Sequence, residues 1–415
     1  MKNNHGARRR VSRLRAGSML LAIMVGSACN TLLDVDVPGS VPVETLDSPL
    51  LATTLVNGAL GEFECAYGNY VTTTAVLSAE VLISGVTIGS NIWGRRWRAD
   101  ILNVSGTCGG YGYFAALQRA RYMAQDATTR ITGWADADVP GKASLLATLA
   151  AYEGYTYLLL GEGLCNAAVN EGPLQTRAQM YAKAEAIFTT AMTGGTTADS
   201  LIRRMATVGR ARARLNLGRA SEAATDAATI PTTFVRTAGT SATTARRYNR
   251  MFEQNVTNRD ITVAPLYRGL TVGGSNDTRV VATNTGLTGG DANTPQWNQS
   301  KYSARNTPIP IASYDEAQLI IAEANVGLPA AETAINNLRT RASLPTLAPG
   351  TVVDLPMVLE ERRRELFLEG ARYNDMLRYP LLFPFPTGLD HKGQIFGDVT
   401  CLPMPLVETQ NNPSL

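Results

Sequence analysis

Apolar residues return every three to four positions in three neighbouring stretches, and this period constrains the fold more than any other feature of the chain. In residues 142–160, Leu145, Leu149, Tyr152, Thr156 and Leu159 form one stripe, with Leu146, Ala150, Tyr157 and Leu160 beside it and Gly161 following. Such a pattern predicts a largely buried helix that stops at the glycine. Residues 177–193 carry Met180, Ala184, Ile187 and Ala191 on one face, and Thr176 stands three before Gln179, the spacing of a capping box. Residues 200–217 align Ile202, Ala206, Gly209, Ala213 and Leu217, and the small side chains among them let helices approach closely.

The segment Ala213-Arg214-Leu215-Asn216-Leu217-Gly218-Arg219-Ala220-Ser221-Glu222-Ala223-Ala224 resembles the turn between the two helices of a tetratricopeptide repeat. Gly218 closes the first helix, and Ala223, Ala224 and Ala227 pack the second one back. A second instance lies at 322–331. Ser313 and Glu316 form its upstream capping box, Gly327 ends one helix and Pro329 starts the next. Helix pairs of this kind bury their faces only by stacking, although generic antiparallel helix hairpins give the same pattern. Residues 231–312 are rich in Thr, Asn and Gly without helical period, residues 84–112 are similarly irregular, and residues 380–415 are Pro-rich. Irregular stretches this long are functional or covering loops. The expected fold class is all-α: a tetratricopeptide-like helix-pair scaffold with large irregular loop regions and minor β-structure.

The first fifteen residues hold Lys2, Arg8, Arg9, Arg10, Arg13 and Arg15 and no acid. The apolar run Met19–Val25 follows, then Gly26-Ser27-Ala28. That is the order of a secretory signal peptide, and the run is far short of the roughly 20 apolar residues that span a bilayer. Cys29 directly after the small residues resembles a bacterial lipobox, although Gly26 stands where that motif usually has Leu. The expectation is a signal peptide at 1–28, acylation of Cys29, a lipidated tether at 29–45 and one domain at 46–415. Ordinary signal cleavage, with Cys29 as a spare thiol, is the alternative. Loss of the leader removes six positive charges and no negative ones, taking the formal net charge from +3 to −3. A basic nucleic-acid footprint goes with it. Cys65, Cys108, Cys165 and Cys401 remain, an even number in an exported chain. Three pairings are open; Cys65–Cys108 with Cys165–Cys401 is the one favoured.

Little catalytic chemistry is available. Past the leader the only histidine is His391, in the polar turn Gly388–Gly393, where an exposed loop histidine is expected. No nucleophile elbow, phosphate-binding loop or His-Glu-x-x-His motif is present, and a histidine-based zinc site is disfavoured. Two carboxylates suffice for glycoside hydrolysis, yet nothing marks a pair among acids such as Glu80 or Asp100. No metal or cofactor is expected.

The densest charge run, Leu359–Tyr379, is expected to form one helix with Leu359, Leu366, Tyr373 and Leu377 on its apolar stripe. Glu360–Arg364, Glu369–Arg372 and Asp375–Arg378 are its expected ion pairs. Its string Glu361-Arg362-Arg363-Arg364-Glu365-Leu366-Phe367-Leu368-Glu369-Gly370-Ala371-Arg372-Tyr373-Asn374-Asp375-Met376 resembles the signature helix of SusD/RagB-type outer-membrane lipoproteins. So does the ending Leu402–Pro413, and the 320–324 and 334–342 segments are similar to that family's last repeat. Lipobox, repeats, signature helix and terminus occur in the family's order over nearly the whole chain.

The resemblance implies a non-catalytic, surface-exposed outer-membrane lipoprotein. Such a protein captures oligosaccharide or peptide and passes it to a SusC-type TonB-dependent transporter, with no cofactor. A periplasmic tetratricopeptide-type adaptor that binds only proteins and an α-helical glycosidase are the competing readings. Because aromatics make up only 7% of the chain, their clusters in loops single out a site. Trp93, Arg96 and Trp97, upstream of Tyr111 and Tyr113, form one cluster, and Trp297, Asn298 and Tyr302 the other. These six are the expected ligand contacts, against the alternative that the tryptophans anchor loops onto the scaffold.

Overall fold

A computed structural model describes residues 43–87, 93–96, 111–194 and 200–415. The leader, Cys29 and most of the tether lie outside the described residues, as do Trp97, Asp100 and Cys108. The main compact unit begins at Pro49 and is described alone.

Its scaffold is a run of helices, each packed on the next in sequence: α1 (Ala52–Leu77), α2 (Phe114–Gly133), α3 (Lys142–Gly163), α4 (Arg177–Gly194), α5 (Ser200–Asn216), α6 (Ala220–Ala227), α7 (Tyr314–Ala324) and α8 (Pro329–Arg341). Two further helices, α9 (Leu355–Glu365) and α10 (Arg372–Arg378), close against it, and α11 (Leu406–Asn411) lies near the end. The expected mainly helical class with minor β-structure is the observed one. Among the described residues the strands pair only in antiparallel twos: β1 (Val81–Ile83) with β5 (Ile261–Val263), β2 (Asn166–Ala167) with β3 (Gln175–Thr176), and β4 (Val235–Ala238) with β10 (Ile309–Ser313). The other two ladders are β6 (Thr271–Val272) with β7 (Ser275–Asn276), and β8 (Ala282–Thr288) with β9 (Pro295–Gln299).

The caps follow the sequence with two instructive departures. Thr176 Oγ1 accepts from Gln179 N at 3.3 Å and Gln179 Oε1 accepts from Thr176 N at 2.8 Å, a complete capping box. Ser313 accepts from Glu316 N at 3.0 Å, but the Glu316 carboxylate turns away to Arg212, leaving half a box. Gly218 and Gly327 take φ of +77° and +82° at their helix ends, the left-handed region that a side chain resists. Gly161 does not stop α3, which continues to Gly163. The lack of a side chain at Gly161 instead admits Tyr181, whose hydroxyl donates to Gly161 O at 2.8 Å.

Leu359–Tyr379 is not one helix. It breaks at 366–371, where Leu368 (φ +58°) and Gly370 (φ +81°) are left-handed. Outside groups take up the freed backbone: Leu368 N donates to Glu80 Oε1 and Leu368 O accepts from Tyr302 Oη. The bend redirects the expected ion pairs. Glu360–Arg364 forms at 2.7 Å, but Glu369 pairs with Lys301 at 2.6 Å rather than with Arg372. Asp375 reaches Arg378 at 3.4 Å and takes a closer two-pronged contact from Arg362 at 3.0 and 2.9 Å. Arg378 also pairs with Glu323 of α7, so the charged segment locks into the helix stack as a buried network.

Cys165 and Cys401 form a disulfide, as favoured, and Cys65 is also disulfide-bonded. The Cys165–Cys401 bridge joins the end of α3 to a C-terminal strap, and Cys165 N donates to Leu402 O at 2.9 Å beside it.

Candidate ligand-binding site

The irregular insertions meet on a small β platform. Val81, Leu82 and Ile83 of β1 register with Val263, Thr262 and Ile261 of β5. Thr262 Oγ1 then knits β9 to β5, accepting from Trp297 N at 2.8 Å and donating to Pro295 O at 2.9 Å. Buried Asn255 donates to Ile261 O and Trp297 O, and Gln296 donates to Asn255 O, Ile261 O and Asn298 Oδ1. These polar side chains satisfy backbone that strands too short for a full ladder leave open.

Trp297 is half-buried on this platform, and the Arg268 guanidinium lies over its ring, 4.7 Å from the centroid. Arg268 Nε and Nη2 both donate to Val263 O, at 2.9 and 2.6 Å. Partial burial draws its pKa below the ordinary value. Asn298, also half-buried, has its amide oxygen tied to Gln296.

The other expected contacts have structural roles. Trp93 is 3% exposed within the main core, and Arg96 is 2% exposed. Arg96 donates to Val399 O, Pro386 O and Gly397 O, with its guanidinium 5.0 Å from the Phe385 ring and 5.2 Å from Phe396. Its expected ligand role is therefore replaced by that of a pin holding the strap to the loop after β1. Tyr302 is also buried, with its hydroxyl donating to Leu368 O. Trp93, Arg96 and Tyr302 are thus loop anchors, because burial removes from ligand the faces that aromatic or guanidinium recognition needs.

The strap completes the platform. Lys392 Nζ donates to Gly85 O and pairs with Asp291, each at 2.8 Å. Burial acts to raise the Asp291 pKa, but Lys392, Thr294 and the Asn293 N–H together hold it well below the usual carboxylate range. His391 is exposed, as expected, with Nε2 2.8 Å from Ile83 O.

A second polar group was missed by sequence reasoning. The Asp260 carboxylate has no hydrogen bond or ion pair among the described residues, and burial raises its pKa. It lies beside two glycines: a Cβ on Gly85 would sit 2.7 Å from Asp260 Oδ1, and one on Gly290 3.4 Å. The buried Tyr111 hydroxyl likewise has no partner among the described residues and feels the charges of Asp260 and Arg250. Half-exposed polar groups held by backbone suit sugar hydroxyls. Among the described residues no group of three or more His, Cys, Asp or Glu could hold a metal ion, and no helix is long and apolar enough to cross a membrane. A cavity of about 440 Å³ between α8, α9 and the β6–β7 hairpin is lined by none of these platform residues.

Residues 240–412 match the SusD family. No curated protein matches the chain. A SusD superfamily protein from Bacteroides vulgatus superposes with TM-score 0.67 at 14% identity, covering 89% of this chain and 98% of its own. A SusD-like carbohydrate binding protein from the same organism superposes with TM-score 0.60 at 17% identity, covering 80% and 83%. A laminarin-binding SusD-like protein superposes with TM-score 0.54 at 13% identity, covering 87% and 98%. At these identities the structures show that the chain shares the SusD-type fold, and the match to the SusD family lies in its C-terminal part, over 240–412.

Proposed function

We propose that this protein is a non-catalytic binding lipoprotein that captures oligosaccharide at the cell surface and delivers it to a SusC-type TonB-dependent outer-membrane transporter. The observation that carries this reading is the SusD-type fold over nearly nine-tenths of the chain, shared with a protein that binds laminarin. The half-buried Trp297, with Arg268, Asn298 and Asp260 on the same platform, supports a polar ligand of saccharide type over a deep apolar one. A signal peptide ending at Ala28 and acylation at Cys29 supply the anchor, since several acyl chains give stable attachment where one is marginal. Peptide is the other cargo class.

The test is retention of a panel of neutral and acidic oligosaccharides and of mixed peptides by the purified protein, with product analysis for cleavage. Retention without cleavage is expected. Cleavage, or no retention of any glycan or peptide, overturns the reading. Co-purification of a TonB-dependent transporter with a tagged copy in gentle detergent tests the delivery step. Fatty-acid label that persists in Cys29→Ala would overturn the anchor.

A further inference from the structure

Arg268 differs from most arginines of this protein. Arg210, Arg212, Arg214, Arg279, Arg339, Arg362 and Arg378 each pair with carboxylates, whereas Arg268 makes no ion pair among the described residues and burial alone moves its pKa. Its geometry is fixed nonetheless. The indole of Trp297 supports one face of the guanidinium, and Val263 O holds the Nε–Nη2 edge. A guanidinium has five N–H groups in a rigid plane. With Nε and one N–H of Nη2 engaged, the two parallel N–H groups at the Nη1–Nη2 end stay open. That end matches the two oxygens of a carboxylate, the pairing for which arginine is best suited.

The indole is therefore not a bare sugar platform. Its face is covered by a pre-oriented cation, and a half-buried cation without a counter-charge gains most from an incoming anion. Arg259, whose Nη1 donates to Thr288 O at the far end of the same β8–β9 hairpin, also makes no ion pair among the described residues. Thr288 and Asn284, the latter the register partner of Trp297, are both in β8. Two unpaired guanidinium groups thus flank one hairpin, in a chain whose mature form is net acidic.

We propose that the end-on edge of Arg268, seated on Trp297, is the carboxylate subsite of this protein, and that its preferred ligand is an oligosaccharide carrying uronate residues. This rests on the oligosaccharide-binding reading and names the sugar class. The test is calorimetric titration of the whole protein with oligogalacturonate and with laminari-oligosaccharide of equal length. Tighter binding of oligogalacturonate is expected, weakened tenfold or more by Arg268→Gln and weakened by added salt, with thermal unfolding checked for each variant. Arg268→Lys, which keeps the charge but loses the paired edge, should recover only part of the affinity. If only the neutral oligosaccharide binds, or if Arg268→Gln leaves oligogalacturonate affinity unchanged while the protein stays folded, the uronate assignment fails and the oligosaccharide reading stands. If neither sugar, nor any other in the panel, binds, the oligosaccharide reading itself fails.

Discussion

Leu368 donates its backbone N–H to Glu80 Oε1 at 3.0 Å across 288 residues of sequence, tying the left-handed turn after α9 to the junction of α1 and β1. Glu80 is 1% exposed. Burial is the largest influence on its carboxyl and raises the pKa from 4.5 to about 7, against the pull of the Leu368 N–H and of the Arg372 and Lys301 charges.

That shift makes stability depend on pH. Below pH 4.5 the carboxyl is protonated in both states. As pH climbs toward 7 the unfolded chain ionises while the folded one holds its proton, so Glu80's contribution is lost through this window. A shift of this size corresponds to about 3 kcal/mol at most. Glu316 and Glu365, also raised to about 7 mainly by burial, add to the same slope. Glu80→Gln keeps an acceptor for Leu368 N and removes the titration, so urea-derived stability should fall less steeply between pH 4.5 and 8 than in the parent. An unchanged slope contradicts this account.

Arg212 is the hub of a buried triad. Its Nε donates to Glu162 at 2.7 Å and its Nη1 to Glu316 at 3.2 Å, and Asn216 donates to Glu162 at 2.9 Å. Glu162 is fully buried. Arg212→Met leaves two carboxylates without their shared cation and should destabilise the protein by about 3–5 kcal/mol, whereas replacing Arg212, Glu162 and Glu316 together by apolar residues should recover much of that loss. Denaturant midpoints at pH 7.5 measure both. A triple variant no more stable than the single one counts against the triad's role.

Phe188 of α4 is wedged between two glycines. An added Cβ on Gly154 of α3 would lie 2.6 Å from its ring, and one on Gly209 of α5 would be closer still. Gly209→Ala should therefore destabilise by about 1–3 kcal/mol through overpacking, despite alanine's better helix propensity. Gly133→Ala, where the Cβ meets nothing within 4 Å, should not. Thermal unfolding of the two variants side by side separates a packing effect from a propensity effect, since propensity alone would stabilise both.

Gly209 also illustrates what the sequence could disclose. Its place in a stripe of small residues announced close helix contact, and Thr176, Ser313, Gly218, Gly327 and Pro329 marked ends that the structure keeps. Helix α1 went unread because its second half is buried all round: Gly68–Leu77 offers no polar face to set a period. It also contains Thr72, Thr73 and Thr74, β-branched residues that disfavour helix until tertiary contacts decide. Two of these hydroxyls are absorbed within the helix, Thr72 Oγ1 donating to Gly68 O and Thr74 Oγ1 to Tyr70 O. The site was half legible. An aromatic in a loop signals either anchor or platform, and only burial separates Trp93 from Trp297. Asp260 and Arg268 carried no local signal, since what sets each apart is the absence of a partner that the fold alone determines.

The Cys165–Cys401 disulfide closes a loop of 236 residues, and a cross-link of that span stabilises by about 2–4 kcal/mol, chiefly by restricting the unfolded chain. Its local effect should be more telling. The strap before Cys401 supplies Pro386 O, Gly397 O and Val399 O to Arg96, and Lys392 to Asp291 and Gly85. Few apolar contacts hold it otherwise, with Leu389 and Ile395 largely exposed. Cys401→Ser should therefore speed amide hydrogen exchange in 386–399 and at Ser84 and Gly85, whose N–H groups donate to Asp260 O beneath the strap. Amides of α3–α5 should stay protected in native conditions, because these helices pack mainly on one another and local openings are confined to weakly held segments. Uniform acceleration across the helices would mean that the bridge acts only on global stability, and equal protection in the strap would mean that Arg96 and Lys392 hold it unaided.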